Sequence, residues 1–383
     1  MRSATKPCLL FFLAGILCAA ASETAGADIP APYAWVTIDI FGLADGKIVG
    51  SQLVFNPDNI LELETVSAGI QQNVDLEVAA GSWLSGQLHT GGTVDVLPET
   101  DYTNITGEIY NWEAALHNPS GLWLVRVGDY TPYTDNSRIL GISNRPLENM
   151  KDSYINAEAE LTIGSSVVSA LYIPEQDELE NHSGALRFTS LIGTLSIDAL
   201  AGWSDGIWLG AGADIPVGSS IIVYANASYL SRTFFQEYRS GLQALIGGSY
   251  AAEWLRGTVF LELLANTAGH TAEDWQKYID AAVNPAVYGE FIENFPFFSQ
   301  SLLYSAIHWE LQGFVVEGLH AGVSLMYSFP QDLMTRAALR YEAESGLYFD
   351  VEARGVLPSS KYEWMFVPET VKYSLQLGWV YRS

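Results

Sequence analysis

The feature that most constrains this chain is an alternation of apolar and polar residues with a period of two, repeated in long segments from residue 33 to the C-terminus. In the last segment, 371–381, every odd position is apolar, and Lys372, Ser374 and Gln376 stand between apolar neighbours. Successive side chains of a β-strand point to opposite faces, so each segment predicts a strand with one apolar face. The chain is therefore expected to be an all-β protein.

The length of the segments separates a membrane barrel from a soluble sandwich. Many of them run about ten residues or more, whereas strands of globular proteins usually run about 5–6 and a tilted strand needs about 9–11 to cross a bilayer. Aromatic residues recur near segment ends, as at Trp203, Trp254, Tyr327 and Trp379, which is typical of the aromatic girdles of transmembrane barrels. These features predict an antiparallel, up-and-down transmembrane β-barrel.

The connections between segments alternate between short and long. Short turns are predicted near 117–121, 164–166, 193, 216–219, 313–318 and 344–346, and longer links at 130–153, 174–183, 231–239, 265–301 and 358–370. Short turns on one side and long loops on the other are typical of barrels inserted from the periplasm.

Strand counting bounds the size of the barrel. About fifteen strands are predicted from residue 105 onward, and residues 33–96 allow between one and five more. An even total of 16 to 18 strands is expected, with 14 or 20 left open. A closed barrel cannot be divided, so residues 28–383 are predicted to form one domain.

The N-terminus predicts export. Arg2 and Lys6 precede an apolar stretch at 8–21, and small residues at 25–27 offer a cleavage site, which together indicate a signal peptide at 1–27. The two cysteines of the chain, Cys8 and Cys18, lie within that segment. We therefore expect no disulfide and no cysteine metal site in the mature protein.

Composition excludes several other classes of protein. The chain is 49% hydrophobic and 16% charged, with a formal net charge of -26. The apolar content is too high for a disordered chain, and the excess of acidic residues argues against nucleic-acid binding. After the N-terminus no apolar run approaches the roughly 20 residues of a membrane-spanning helix.

The whole mature chain resembles bacterial outer-membrane porin-like barrels in its pattern. Tyr373, Trp379 and Tyr381 are spaced like the C-terminal signal that the outer-membrane assembly machinery reads in such barrels, although Arg382 and Ser383 follow the last aromatic residue. The resemblance implies a bacterial outer-membrane location, contact with membrane lipid and lipopolysaccharide or its equivalent, recognition by the assembly machinery, and a homotrimeric assembly. It also implies a channel for small polar solutes.

If the apolar faces contact lipid, the alternate faces line the lumen. The candidate pore-lining residues are Arg336, Arg340, Arg354, Glu342, Glu344, Asp350, Glu352, Glu158, Glu160, Glu310 and His308. Carboxylates predominate on these faces, which predicts a pore that favours cations. In general porins a basic ladder faces an acidic constriction, and the resemblance gives the basic side to the three arginines. The alternative is that these arginines form cross-strand ion pairs without a selective role.

The longest predicted connection, 265–301, contains a candidate helix. Thr271 with Asp274 resembles a capping box, and Trp275, Tyr278 and Ile279 follow at helical spacing. We expect a short amphipathic helix that acts as a constriction in the lumen, as a lid at the outer mouth, or as an exposed element packed on the rim. The candidate constriction residues are Glu273, Asp274, Trp275 and Lys277.

The sequence gives little support for a catalytic site. His182 and Ser183 adjoin in a predicted loop, and adjacent residues of a strand would point to opposite faces. His308 and Glu310 share a face but have no evident third metal ligand. We predict no enzyme activity, no metal site and no cofactor. Two other functions stay open: a non-conducting barrel that serves as an adhesin or surface scaffold through its loops, and a soluble, secreted all-β binding protein.

Overall fold

The structure is a computed structural model that describes residues 33–48, 66–80, 83–97, 102–118, 120–129, 156–173, 183–203, 206–231, 241–252, 254, 256–267, 269, 271–273, 276, 303–312, 316–329, 332–356 and 371–382. Its strands, in chain order, are β1 (Tyr33–Ile48), β2 (Val66–Ala80), β3 (Leu84–Leu97), β4 (Tyr102–His117), β5 (Trp123–Asp129), β6 (Asn156–Ile163), β7 (Ser166–Ile173), β8 (Ser183–Ile192), β9 (Leu195–Trp203), β10 (Ile207–Val217), β11 (Ile221–Leu230), β12 (Gly241–Ala252), β13 (Gly257–Asn266), β14 (Leu303–Gln312), β15 (Leu319–Ser328), β16 (Asp332–Glu342), β17 (Leu347–Val356) and β18 (Val371–Arg382).

These strands form one closed sheet. Each strand pairs antiparallel with the next in sequence, and β1 pairs with β18, so that the 18-stranded sheet closes on itself. The seam between the first and last strands extends in register from Thr37 opposite Arg382 to Ile48 opposite Val371. The predicted all-β, antiparallel, up-and-down barrel is confirmed, and its strand number lies within the predicted 16 to 18.

The two rims of the barrel differ in their connections. Turns that lead from an even-numbered to an odd-numbered strand, such as 164–165, 193–194 and 343–346, are short, and we call their edge the short-turn rim. The opposite edge, the long-connection rim, carries the links 49–65, 130–155, 174–182, 231–240, 267–302 and 357–370. Three links at that rim, 98–101, 204–206 and 329–331, are also short. The predicted one-sided distribution of tight turns is confirmed.

Side chains alternate between an apolar exterior and a more polar lumen. On β13, Leu261 and Leu263 are about half exposed on the outer face, whereas Glu262 and Leu264 are buried on the inner face. Large exposed apolar side chains continue around the outside, and exposed aromatic residues lie near both rims, with Trp254 and Trp379 towards the short turns and Trp203 and Tyr327 towards the long connections. Such an exterior is stable in hydrocarbon and not in water, so the barrel has the outer surface of a transmembrane barrel.

Part of the lumen wall is packed instead of open. A buried cluster on the inner faces of strands β11 to β17 contains Tyr224, Leu245, Leu264, Tyr304, Ala306, Met326 and Val356. Ser328 and Asp332, next to this cluster in register, are also almost completely buried. These buried side chains do not line a water-accessible path, so the accessible wall is formed by other inward positions of the ring.

The predicted helix in the connection after β13 is described only in part. Ala272, Glu273 and Gln276 are helical, and the remaining residues of the predicted 271–283 segment lie outside the described residues. Among the residues that the structure describes, no helix is long and apolar enough to cross a membrane. The predicted signal peptide at 1–27 also lies outside the described residues and stays a prediction.

Candidate pore lining

A row of cations crosses the inner face of the last three strands. The register places Arg336, Arg354 and Lys372 directly opposite one another on β16, β17 and β18. Like charges directly opposite on one face repel, and the Arg336 guanidinium is offset by Glu352, whose carboxylate accepts a hydrogen bond from Nη2 at 2.7 Å. We call Arg336, Arg354 and Lys372 the cation row.

Arg340 lies four residues along β16 from Arg336, nearer the short-turn rim. Its Nη2 donates a hydrogen bond to Oε2 of Glu342 at 3.3 Å, and its Nη1 lies 3.9 Å from Oδ2 of Asp350, the residue opposite it on β17. The guanidinium carbon lies 4.8 Å from the ring centroid of Tyr348, in a cation–π contact. Several neighbours therefore fix the position of this cation.

A second charged cluster lies on β4, β5 and β6. Arg126 on β5 holds Glu158 with two donors, Nε at 2.8 Å and Nη2 at 2.6 Å from Oε2. The same guanidinium lies 3.5 Å from Glu160 and 3.8 Å from Glu113. Three carboxylates thus share one arginine, and the cluster has an excess of negative charge.

A third ion pair follows on β8 and β9. Nε of Arg187 donates to Oδ2 of Asp198 at 2.6 Å, and the Thr189 hydroxyl donates to the same oxygen at 2.9 Å. We call six residues on strands β4 to β9 the acidic wall: Glu113, Arg126, Glu158, Glu160, Arg187 and Asp198. Carboxylates outnumber arginines within it.

The ring order places these groups on separate parts of the lumen wall. In a closed sheet of 18 strands, β8 and β9 lie half-way round from β17 and β18, and β4 to β6 lie half-way round from β13 to β15. The Arg187–Asp198 pair therefore faces the cation row, and the net-negative cluster around Arg126 lies to one side of it, five to seven strands from β17. Groups of opposite net charge on separate parts of the wall create an electric field across the lumen.

The number of inward charged groups does not show which of them are exposed to water. Among the side chains that the structure describes, the inward carboxylates are Asp39, Asp75, Glu77, Glu113, Glu158, Glu160, Asp198, Asp214, Glu262, Glu310, Asp332, Glu342, Asp350 and Glu352, and the inward cations are Arg126, Arg187, Arg336, Arg340, Arg354 and Lys372. Several of the carboxylates, including Glu158, Asp198, Glu262 and Asp332, are buried. By contrast, the side chains of Arg336 and Arg340 are 52% and 43% exposed. Water in the lumen therefore meets these guanidinium groups more than a residue count suggests.

Most of the predicted pore-lining residues lie on inward-facing strand positions. Glu344 does not, because it is in the tight turn between β16 and β17, where its exposed side chain belongs to the short-turn rim and not to the wall. The predicted constriction residues are resolved only at Glu273, which is exposed; Asp274, Trp275 and Lys277 lie outside the described residues. The alternation extended β16 two residues beyond its end at Glu342.

The sequence reading missed Arg126 and Arg187. Each stands alone between two apolar residues, Val125 and Val127 in one case and Leu186 and Phe188 in the other. That pattern is the period-two signal of an inward charge. For Arg126 this signal is weak, because the seven residues of β5 give few alternations to count.

His308 and Glu310 share the inner face of β14 but make separate contacts. Nδ1 of His308 lies 2.7 Å from the Ser324 hydroxyl, and Glu310 accepts a hydrogen bond from Gln312 at 3.0 Å. Within the described part of the chain, no group of three or more potential metal ligands comes together. His182, the other histidine considered for catalysis, lies outside the described residues.

Comparison with known proteins gives a structural likeness without a sequence family. No protein-family model matches the chain, and no curated protein matches it. Among solved structures, the chain is similar to Acinetobacter baumannii OccAB1 (TM-score 0.56, 10% identity, covering 94% of this chain and 98% of that one). It is also similar to Pseudomonas aeruginosa OpdO (0.57, 11%, 92% and 98%) and to P. aeruginosa OpdK solved with vanillate (0.55, 9%, 91% and 99%).

These neighbours are outer-membrane porins. The likeness covers nearly the whole of each chain, so it concerns the barrel as a whole and not one shared hairpin. At about one identical residue in ten it concerns the backbone alone. The chain has the fold of a porin-like, transmembrane β-barrel.

Proposed function

We propose that this protein is a channel of the bacterial outer membrane through which small polar solutes diffuse, with a preference for cations. The observation that carries the proposal is the closed 18-stranded barrel, which has an apolar exterior and water-accessible charged side chains on its inner face. Inward charges that water reaches fit a hydrated pore, whereas a sealed barrel is expected to bury and pair its inward charges. The likeness to porins supports the same conclusion.

The charge distribution supports a cation preference. Inward carboxylates outnumber inward cations among the described residues, and the full chain carries a net charge of -26. Rings of carboxylates raise the local concentration of cations in a pore. The cation row and the net-negative cluster around Arg126, on separate parts of the wall, add a transverse field, which would orient dipolar solutes as they pass. These residues are the proposed functional site.

The proposed environment follows from the same reading. Membrane lipid surrounds the apolar exterior, lipopolysaccharide or its equivalent contacts the outer leaflet, and the assembly machinery recognises the aromatic residues of β18. Export requires the proposed signal peptide at 1–27. A homotrimer is a further proposal, since its support is the resemblance to porins alone.

Single-channel recording tests the proposal. Purified protein refolded into a planar bilayer is expected to give discrete conductance steps, and a KCl gradient is expected to give a reversal potential of the sign of K⁺ selectivity. Protein that is folded, as shown by heat-modifiable migration on a gel, but gives no steps would favour the adhesin or scaffold alternative. A reversal potential of the opposite sign would contradict the cation preference alone.

A further inference from the structure

Tyr348 bridges the seam of the barrel. It lies on β17, and its hydroxyl donates a hydrogen bond to Oδ1 of Asp39 on β1 at 2.9 Å, reaching across the whole width of β18. The ring passes over Gly378, where a Cβ atom would lie 2.6 Å from Cζ of the tyrosine. The tyrosine is 2% exposed. Glycine at this position is what allows the ring to lie flat against the middle strand.

The same arrangement occurs a second time, on β11, β12 and β13. Tyr224 donates a hydrogen bond to Oε1 of Glu262 at 2.6 Å, and both residues are buried. The middle strand carries Gly247, directly opposite both of them in register, and a Cβ there would lie 2.6 Å from Cζ of the tyrosine. Two unrelated parts of the ring thus share one design: tyrosine, glycine and carboxylate on three successive strands.

We propose that these tyrosine–glycine–carboxylate bridges are staples, and that the Tyr348 staple locks the first and last strands together to close the barrel. The seam is where a staple has most effect. Every other pair of neighbouring strands is joined by a connection, whereas β1 and β18 are the two ends of the sheet. Tyr348 and Asp39 are 309 residues apart in sequence, and contacts of such separation carry the largest loop-closure cost.

The staple joins three strands at once. A backbone hydrogen bond of the sheet connects only two neighbouring strands. The phenol hydroxyl connects β17 to β1, and its ring lies over Gly378 of β18 between them. Phe41, on β1, adds a ring contact to Tyr348 with centroids 6.5 Å apart. Local opening at the seam therefore has to break the phenol–carboxylate bond together with the β1–β18 ladder.

Hydrogen–deuterium exchange of the folded barrel in detergent micelles tests this proposal. Tyr348→Phe removes the hydroxyl and keeps the ring, so the backbone amides of β1 and β18 are expected to exchange about tenfold faster. Gly378→Ala, which pushes the ring out, is expected to do the same. Tyr224→Phe is the matched control: it should speed exchange in β11–β13 and leave β1 and β18 as protected as in the wild type.

The outcomes separate a seam staple from general stabilisation. Tyr348→Phe alone, which adds no atom and is compatible with folding, decides the matter if Gly378→Ala does not fold. Seam amides within twofold of the wild type in Tyr348→Phe would overturn the proposal. Equal acceleration in β11–β13 and at the seam would also overturn it, since the residue would then stabilise the barrel as a whole. Neither result depends on whether the barrel conducts.

Discussion

At the scale of single residues, the lumen arginines differ in what their removal would expose. Arg126 holds Glu158, which is almost fully buried, together with two further carboxylates. Arg336 holds one carboxylate, and both partners of that pair are substantially exposed to water. The cost of an unpaired charge depends on its burial, so chemically similar pairs should contribute very differently to stability.

Arg126→Gln is expected to lower the free energy of unfolding by about 2 kcal/mol. The substitution leaves Glu158 buried without its two charged donors. It also removes the cation that Glu158 shares with Glu160. Urea unfolding of the refolded barrel in lipid vesicles, followed by tryptophan fluorescence, measures the change.

Arg336→Gln is the matched control, since it makes the same chemical change in the same lumen. Its pair with Glu352 is exposed, so a loss below about 1 kcal/mol is expected. Equal losses for the two variants would show that burial of Glu158 does not govern the stability of these pairs.

The residue scale is also where the sequence was least informative. Period two placed Arg336, Arg340 and Arg354 on the inner face, and the register shows which carboxylates they meet. Alternation fixes only the side of the wall to which a residue points, and not the relative height of two strands. The partners of Arg126 and the two tyrosine staples depend on register and on the absence of a Cβ at glycine, so they could not be predicted from pattern.

At the scale of strands and turns, the alternation predicted most of the barrel. The strands that the sequence shows most clearly have apolar residues at every outward position, as in β18. Strand number was uncertain between residues 33 and 96, where Gln71, Gln72 and Asn73 form a polar run in the middle of β2. Gln72 points outward and is exposed, so it interrupts the apolar face from which a strand is recognised. The sequence could not show that a lone polar residue is tolerated there.

The tight turns at the short-turn rim rely on glycine for different reasons. Gly193 and Gly346 both have positive φ, 65° and 82°, which non-glycine residues rarely adopt. Nothing lies within 4 Å of a Cβ built at Gly193. At Gly346 such an atom would collide with the backbone oxygen of Val380 on β18.

Gly346→Ala is therefore expected to cost about 3 kcal/mol, because backbone strain and displacement of β18 add together. Gly193→Ala, with the strain alone, is expected to cost about 1 kcal/mol. Urea unfolding in vesicles measures both changes. If the two variants lost the same stability, the contact between the 343–346 turn and β18 would have no energetic role.

At the scale of the whole molecule, the barrel is apolar outside and polar inside, which is the reverse of a soluble protein. Leu261, in the middle of β13, and Val217, at the short-turn end of β10, are both outward and about half exposed. In a membrane their depths differ, whereas in water their surroundings would be alike. Substitution at these two sites therefore distinguishes a transmembrane barrel from a secreted soluble one.

Leu261→Arg is expected to destabilise the barrel by about 2–4 kcal/mol in a bilayer, and Val217→Arg by about 0–1 kcal/mol. The cost comes from moving a guanidinium to the middle of the hydrocarbon layer, while at the rim it reaches the headgroups. Unfolding in phospholipid vesicles measures the difference. Similar small costs at both positions would contradict the membrane-spanning reading.

The last property of the whole ring is the separation of the cation row from the net-negative cluster around Arg126, which follows from strand order and cannot be read from any single segment. Replacing Arg336, Arg354 and Lys372 together by glutamine removes the cation row and leaves the acidic wall intact. The K⁺ to Cl⁻ permeability ratio in a KCl gradient is then expected to rise roughly twofold or more.

Replacing Glu113 and Glu160 by glutamine is the opposite change, made in the net-negative cluster with neutral residues of the same size. The permeability ratio is then expected to fall, since the lumen loses negative charge while the cation row remains. Both carboxylates are partly exposed, so ions in the lumen experience their field. Shifts of opposite sign would mean that permeating ions pass between the cation row and the net-negative cluster. If neither set of substitutions changed the ratio, selectivity would have to arise at another part of the chain, and the pore lining proposed here would be wrong.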